Sequence, residues 1–151
     1  PAILGAKIAC PDVPVVGFSG DGAFGICMNE MTACGRDDWP AITMVIFRNY
    51  QWGAEKRNTT LWYDNNFVGT ELNRNVSYAG IAKACGLEGI VVKTQKELIE
   101  AIDESCKAQS KGVTTFIEII LNQELGEPFR RDAMKAPVSV AGIDPGDMQS
   151  Q

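Results

Sequence analysis

Histidine is absent from the 151 residues. The chain therefore holds no Ser-His-Asp or Cys-His catalytic pair of its own and no histidine-ligated zinc. Paired cysteines are missing as well: the five thiols, Cys10, Cys27, Cys34, Cys85 and Cys106, are odd in number and form no C-x-x-C. Several lie in apolar helical stretches, where a thiol behaves as a small hydrophobe, and a reduced, cytoplasmic compartment is expected. No apolar run approaches the roughly 20 residues that span a bilayer, and no signal peptide is visible, so no membrane partner is expected. Basic charge is scarce. The 14 Lys and Arg stand against 19 Asp and Glu, for a net −5, and no nucleic-acid partner is expected of such a surface. What is left, 45% hydrophobic and 22% charged, is an ordinary globular composition over a length that suits one domain. An alanine-rich helical pattern begins at Pro1 itself, so the natural N-terminus is expected upstream.

Residues 1–10 read as the end of a helix stopped by Pro11. The apolar run 14–18 reads as a buried strand and ends in Ser19-Gly20-Asp21-Gly22-Ala23, a glycine-rich turn. Phe24, Cys27, Met28, Met31 and Cys34 then recur at spacings of three and four, one apolar face of a helix closing near Gly35. A second strand is expected over 42–47, followed by a long polar and aromatic stretch over 48–76. Ser77 caps a helix carrying Tyr78, Ile81, Ala82 and Cys85, with Gly86 just past its end. A third strand is expected over 90–92. Thr94 and Glu97 form a capping-box signature ahead of Leu98, Ile102, Ser105 and Cys106. Residues 114–121, rich in β-branched side chains, read as a fourth strand, and the three prolines beyond it mark a tail. Apolar strands alternating with helices imply a doubly wound α/β fold, a mainly parallel sheet with helices on both faces. The domain is expected over 1–122 and the tail over 123–151.

Ligands of such sheets bind at the carboxyl ends of the strands. Two strand ends carry unusual residues, Gly20-Asp21-Gly22-Ala23 and Arg48-Asn49-Tyr50-Gln51. The glycines let backbone approach a ligand, and N–H groups at a helix start attract phosphate. An acid in that turn would repel phosphate unless a cation lay between them, so Asp21 suggests Mg²⁺ bridging to a diphosphate. Asn49 is the candidate for a second oxygen, and the carbonyl of Gln51 for a third. Each piece alone also reads as a tight turn or a strand cap. Placed together on neighbouring strand ends, they favour the metal.

The series Leu4-Gly5, Pro11, Val16, Phe18 and Gly20-Asp21-Gly22-Ala23 resembles the fingerprint of thiamine-diphosphate-dependent enzymes. That fingerprint closes on an asparagine roughly 25–30 residues after the aspartate, and Asn49 follows Asp21 by 28. Most members carry two consecutive asparagines there, whereas this chain has Arg48-Asn49. Three further blocks are similar to the sulfoacetaldehyde acetyltransferase subfamily: Phe47-Arg48-Asn49-Tyr50-Gln51-Trp52-Gly53 continuing to Asn58, Asp64-Asn65-Asn66-Phe67 continuing to Leu72, and Asn122 through Arg130-Arg131 to Lys135.

The resemblance implies thiamine diphosphate and Mg²⁺ as cofactors. It places Gly20, Asp21, Gly22, Ala23, Asn49, Gln51, Trp52 and Gly53 at the cofactor, with Asp21, Asn49 and Gln51 on the metal. It also implies conversion of sulfoacetaldehyde and phosphate to acetyl phosphate and sulfite, in sulfonate metabolism. Only the C-terminal, diphosphate-binding domain of such enzymes is matched. The implied partners are the N-terminal and middle domains of the same enzyme, in a homodimer or homotetramer. The glutamate that activates the cofactor lies in those other domains, so no catalytic residue is assigned here and the chain alone is expected to be inactive.

Other readings stay open. A 2-oxo-acid decarboxylase or acetolactate synthase would show the same Gly-Asp-Gly. A non-catalytic cofactor-binding module would also fit the fragment. A flavodoxin-like mononucleotide binder would leave Asp21 without a reason. Tyr50 and Trp52 either line the cofactor or pack against a partner domain. Arg130, Arg131 and Lys135 either hold an oxyanion or pair with acidic surface. Glu30 reads as a helix or interface residue rather than a general acid, and Glu55 and Lys56 as part of a loop.

Overall fold

The β-branched segments that alternate with helices form the sheet expected of them. The computed structural model describes residues 1–125. In chain order these form α1 (Ala2–Ala9), β1 (Val16–Gly20), α2 (Asp21–Ile26), α3 (Glu30–Cys34), β2 (Thr43–Arg48), α4 (Gly53–Trp62), α5 (Tyr78–Ala84), β3 (Glu88–Val92), α6 (Gln95–Gln109) and β4 (Thr115–Ile120). Among the described residues the sheet runs β1-β2-β4-β3 with every pair parallel. Among the described residues two compact units are distinguished, one of Pro1–Tyr50 with Asn73–Asn122, the other of Gln51–Leu72 with 123–125.

The first unit holds the sheet, and both faces of β4 are buried. Phe116 joins Leu4, Phe24, Met31, Ile46, Tyr78 and Ala82 on one side. Ile117 and Ile119 join Val45, Val92 and Ala101 on the other, where α6 lies. Two-sided burial is why β4 reads as a continuous apolar run rather than an alternating one. Gln109, at the end of α6, fixes the entry to β1. Its Oε1 accepts from Val15 N at 3.0 Å, and its Nε2 donates to Val15 O at 3.0 Å and to Thr43 Oγ1 at 2.8 Å. Gly89 is required for a different reason: a Cβ there would sit 2.1 Å from the carbonyl oxygen of Ala79, so α5 packs directly on the β3 backbone.

Two expectations need correction. The helix read across 24–34 is two helices, because Gly22 and Gly25 weaken the first and it ends after six residues. Bonds of the i to i+3 kind carry the chain across the gap, Cys27 N to Phe24 O and Glu30 N to Cys27 O, both 3.0 Å. Phe24, Met31 and Cys34 therefore still share one core face. The polar stretch 48–76 contains α4, which has no apolar periodicity to announce it. This helix belongs to the second unit, where Lys56 pairs with Glu71 and lies 5.1 Å from the centre of the Phe67 ring.

The caps read from sequence are present. Ser77 accepts from Gly80 N, and Thr94 and Glu97 form the full capping box of α6. Glu97 Oε2 accepts from Lys93 N at 2.7 Å and from Thr94 N at 3.2 Å, and the first of these bonds chiefly holds its carboxyl below the ordinary range. A depressed carboxyl adds stability above its unfolded pKa, near 4.3, and loses it as pH falls through the folded value. The protection factors of the first-turn amides of α6, exchange rates corrected for the intrinsic pH dependence, are therefore expected to fall as pH drops below about 4.3. Glu97→Gln should remove that dependence. An unchanged pH response in the variant would assign it elsewhere.

Candidate functional site

The sheet register sets the site. Gly20 lies opposite Phe47, so Asp21 and Arg48 leave neighbouring parallel strands at the same level. Gly20 is still extended, with ψ 156°, and α2 begins at the next residue. This abrupt strand-to-helix step turns Asp21 inward, where it is 1% exposed. Its Oδ1 accepts from Gly22 N at 3.0 Å and its Oδ2 from Tyr50 N at 2.7 Å. The second bond folds the loop after β2 onto the loop after β1. Tyr50 reaches it with φ +62°, a left-handed conformation that costs an L-residue about 1–2 kcal/mol. Tyr78 OH donates to the main-chain oxygen of Asp21 at 3.1 Å. Burial pushes the Tyr78 phenol up, with Arg48 opposing and the Asp21 and Glu118 carboxylates adding to it, which keeps the proton on the donor.

Arg48 stands where the fingerprint that the sequence resembles usually has the first of two asparagines, and its side chain is 1% exposed. Nη1 lies 3.5 Å from Asp21 Oδ2. Nε lies 3.2 Å from Glu118 Oε1 but off the hydrogen-bonding direction, so that contact is a charge pair rather than a hydrogen bond. Nη2 donates to the carbonyls of Asn73 and Val76 at 2.7 and 2.8 Å. The guanidinium lies between two rings, 4.5 Å from the centre of Tyr50 and 4.7 Å from that of Tyr78. The other oxygen of Glu118 accepts from Ser77 Oγ at 2.7 Å and from Ala79 N at 3.0 Å. Three formal charges thus sit in a buried pocket at the end of β1, β2 and β4.

The sequence candidates divide between the two units. Gly20, Asp21, Gly22, Ala23 and Asn49 belong to the first. Asn49 is half-buried between Arg48 and Tyr50, and Ala23 is exposed in the first turn of α2. The Gly22 N–H, read as a diphosphate donor, is here engaged by Asp21 Oδ1. Gln51, Trp52 and Gly53 belong to the second unit. There the Gln51 backbone pairs with Glu71, its buried side chain donates to Gln123 O at 3.0 Å, and Trp52 N donates to Thr70 O at 2.8 Å. Tyr50, read as a lining or interface aromatic, covers the Arg48 guanidinium. Glu30 opens α3 and lines an apolar cavity of about 370 Å³ beside β1, with Phe24, Cys27 and Met44. Arg130, Arg131 and Lys135 lie outside the described residues.

Sequence reasoning missed Glu118 and the true part of Arg48. The signal was available: an acid inside the apolar run of β4 must find a buried partner, and a cation on the adjacent strand is the natural one. The donor chemistry suits a hard cation. Asp21 offers a carboxylate and Asn49 an amide oxygen, and among the described residues no cluster of three His, Cys, Asp or Glu competes with them. A Cβ at Gly20 would meet nothing within 4 Å, so the turn is open where a phosphate would approach.

A wholly parallel sheet with these strand-end loops defines a ligand-binding α/β domain of the doubly wound class. Residues 1–119 match the family described as thiamine pyrophosphate enzyme, C-terminal TPP binding domain, and the chain belongs to that family. It is 73% identical over 151 residues to a protein of Rhizobium meliloti named "Probable sulfoacetaldehyde acetyltransferase", covering 100% of this chain and 26% of that one. It is 71% identical to the sulfoacetaldehyde acetyltransferase of Roseovarius nubinhibens, covering 100% of this chain and 25% of that one. The chain thus spans about a quarter of the length of these relatives. In fold it is similar to the thiamine diphosphate-dependent 4-hydroxybenzoylformate decarboxylase of Rhodococcus jostii, with TM-score 0.74 and 23% identity over 83% of this chain and 23% of that one.

Proposed function

We propose that the chain is the diphosphate- and Mg²⁺-binding domain of a thiamine-diphosphate-dependent acetyltransferase that converts sulfoacetaldehyde and phosphate to acetyl phosphate and sulfite. The observation that carries the site is the 2.7 Å hydrogen bond from Tyr50 N to Asp21 Oδ2, which joins the two strand-end loops. Similarity along the whole chain to proteins named for that activity supports the substrate, and does not favour the acetolactate-synthase alternative.

Asp21 and Asn49 would hold Mg²⁺, with Gln51 the candidate third donor on sequence grounds. Gly20, Gly22 and Ala23 would face the diphosphate, and Trp52 and Gly53 the rest of the cofactor. When bound, the cofactor supplies the carbanion chemistry. This chain's residues orient it: Tyr78 and Arg48 fix Asp21 from two sides, and Gly20 leaves the approach open. The activating glutamate would come from the N-terminal domain, and the remaining domains and a second subunit would complete the site. Five free thiols fit a cytoplasmic enzyme, and among the described residues no helix is long and apolar enough to cross a membrane.

The test is an assay of the full-length enzyme with sulfoacetaldehyde, phosphate, thiamine diphosphate and Mg²⁺. Sulfite and acetyl phosphate should appear in equal amounts, and only with all four present. Turnover of pyruvate in place of sulfoacetaldehyde would overturn the substrate reading while leaving the cofactor site intact.

A further inference from the structure

We propose that Glu118 sets the cation affinity of Asp21 by cancelling the charge of Arg48. The inference rests on the reading that Asp21 holds Mg²⁺, and adds a positioning residue on another strand. Arg48 approaches Asp21 Oδ2 to 3.5 Å while both side chains are almost wholly buried. Between two such groups the attraction is screened far less than at the surface. A lone arginine there would neutralise the acid and repel a divalent cation. The remaining partners of the guanidinium cannot offset its charge, since the carbonyls of Asn73 and Val76 and the rings of Tyr50 and Tyr78 carry none.

Glu118 does offset it, from 3.2 Å at Nε. The Asp21–Arg48–Glu118 group therefore keeps one formal negative charge, and Asp21 is where that charge meets the open turn. Glu118 itself is held by Ser77 Oγ and Ala79 N through one oxygen, which leaves the other on Arg48. Arg48 also anchors the loop at 73–76 through its two carbonyl bonds. It can thus fix the geometry of the site while Glu118 removes the electrostatic cost.

The experiment titrates Mn²⁺ into the full-length enzyme at saturating thiamine diphosphate, with bound metal read by electron paramagnetic resonance. Glu118→Gln keeps the shape and removes the charge. It should weaken Mn²⁺ binding about tenfold or more. The double variant Arg48→Met with Glu118→Gln restores the net charge but not the contacts of Arg48, and it should bind Mn²⁺ about threefold or more tightly than Glu118→Gln alone. A purely structural role predicts the reverse, with the double variant at least as weak as the single one, and that result overturns the proposal. Glu118→Gln within about twofold of the parent also overturns it, while the parent's own binding preserves the metal reading. A parent that binds no Mn²⁺ overturns both. Should Glu118→Gln alone fail to fold, the comparison of Arg48→Met with the double variant decides: Mn²⁺ binding tighter by about threefold or more when Glu118 is kept supports the proposal, and equal affinity overturns it.

Discussion

Asp21→Asn is expected to abolish Mg²⁺-dependent binding of thiamine diphosphate in the full-length enzyme. The replacement is isosteric, so the cavity around the side chain is preserved and the fold is retained. The hydrogen bonding is not preserved. Both Asp21 oxygens accept backbone N–H groups, from Gly22 and from Tyr50. An amide offers one acceptor and one donor, so one N–H would face an NH₂ across a buried gap. Rotating the amide moves the conflict from one loop to the other without removing it. The hard anionic oxygen is lost at the same time, and with it the strongest ligand that Mg²⁺ is offered. Calorimetric titration with and without Mg²⁺ should show no binding heat in the variant, while a single cooperative melt, at a lower temperature than the parent's, reports that the fold is retained. Unchanged affinity in the variant would remove Asp21 from the metal site.

What could be read in advance followed from how each element is stabilised. The strands are apolar runs, with β4 buried on both faces, so their composition alone marked them, and the observed ends differ by a residue or two from the runs read in sequence. The caps at Ser77 and Thr94 are local, and local chemistry is legible. By contrast, α4 has no apolar stripe, and contacts such as Lys56 with Glu71, 15 residues apart, carry no short-range signature. The split between α2 and α3 was hidden because the apolar spacing persists through a break in the hydrogen bonding.

The site divides in the same way. Asp21 and Asn49 were visible as residue types at strand ends. The long-range partners of Asp21 were not, because they come from β2, the loop after it and α5 and meet only when the parallel register is known. Arg48 looked like a departure from a family pattern. In the folded chain it is the residue on which three segments converge.

That convergence makes Arg48→Met the most damaging single change expected in the first unit. Methionine fills much of the same volume, so packing against the Tyr50 and Tyr78 rings is partly kept. What disappears is the only positive member of the buried Asp21–Arg48–Glu118 group. Two carboxylates would remain buried without a counter-charge, and the carbonyls of Asn73 and Val76 would each lose a donor. Breaking a buried ion pair from one side costs about 3–5 kcal/mol, a large share of the roughly 5–15 kcal/mol that holds a domain folded. Denaturant unfolding should show a loss of unfolding free energy of that size and a correspondingly lower midpoint. Arg48→Lys should restore only part of it, because an ammonium keeps the charge but cannot reach two carbonyls and two carboxylates with one planar fork. Arg36→Ala provides the control, since the Arg36–Asp38 pair is exposed and its removal should leave the midpoint unchanged. If Arg48→Met unfolded at the parent midpoint, the buried charge group would have no hold on the fold. Adding Glu118→Gln to Arg48→Met should recover part of the lost stability. It removes one of the two stranded charges, and Asp21 is left as the one anion facing the open turn.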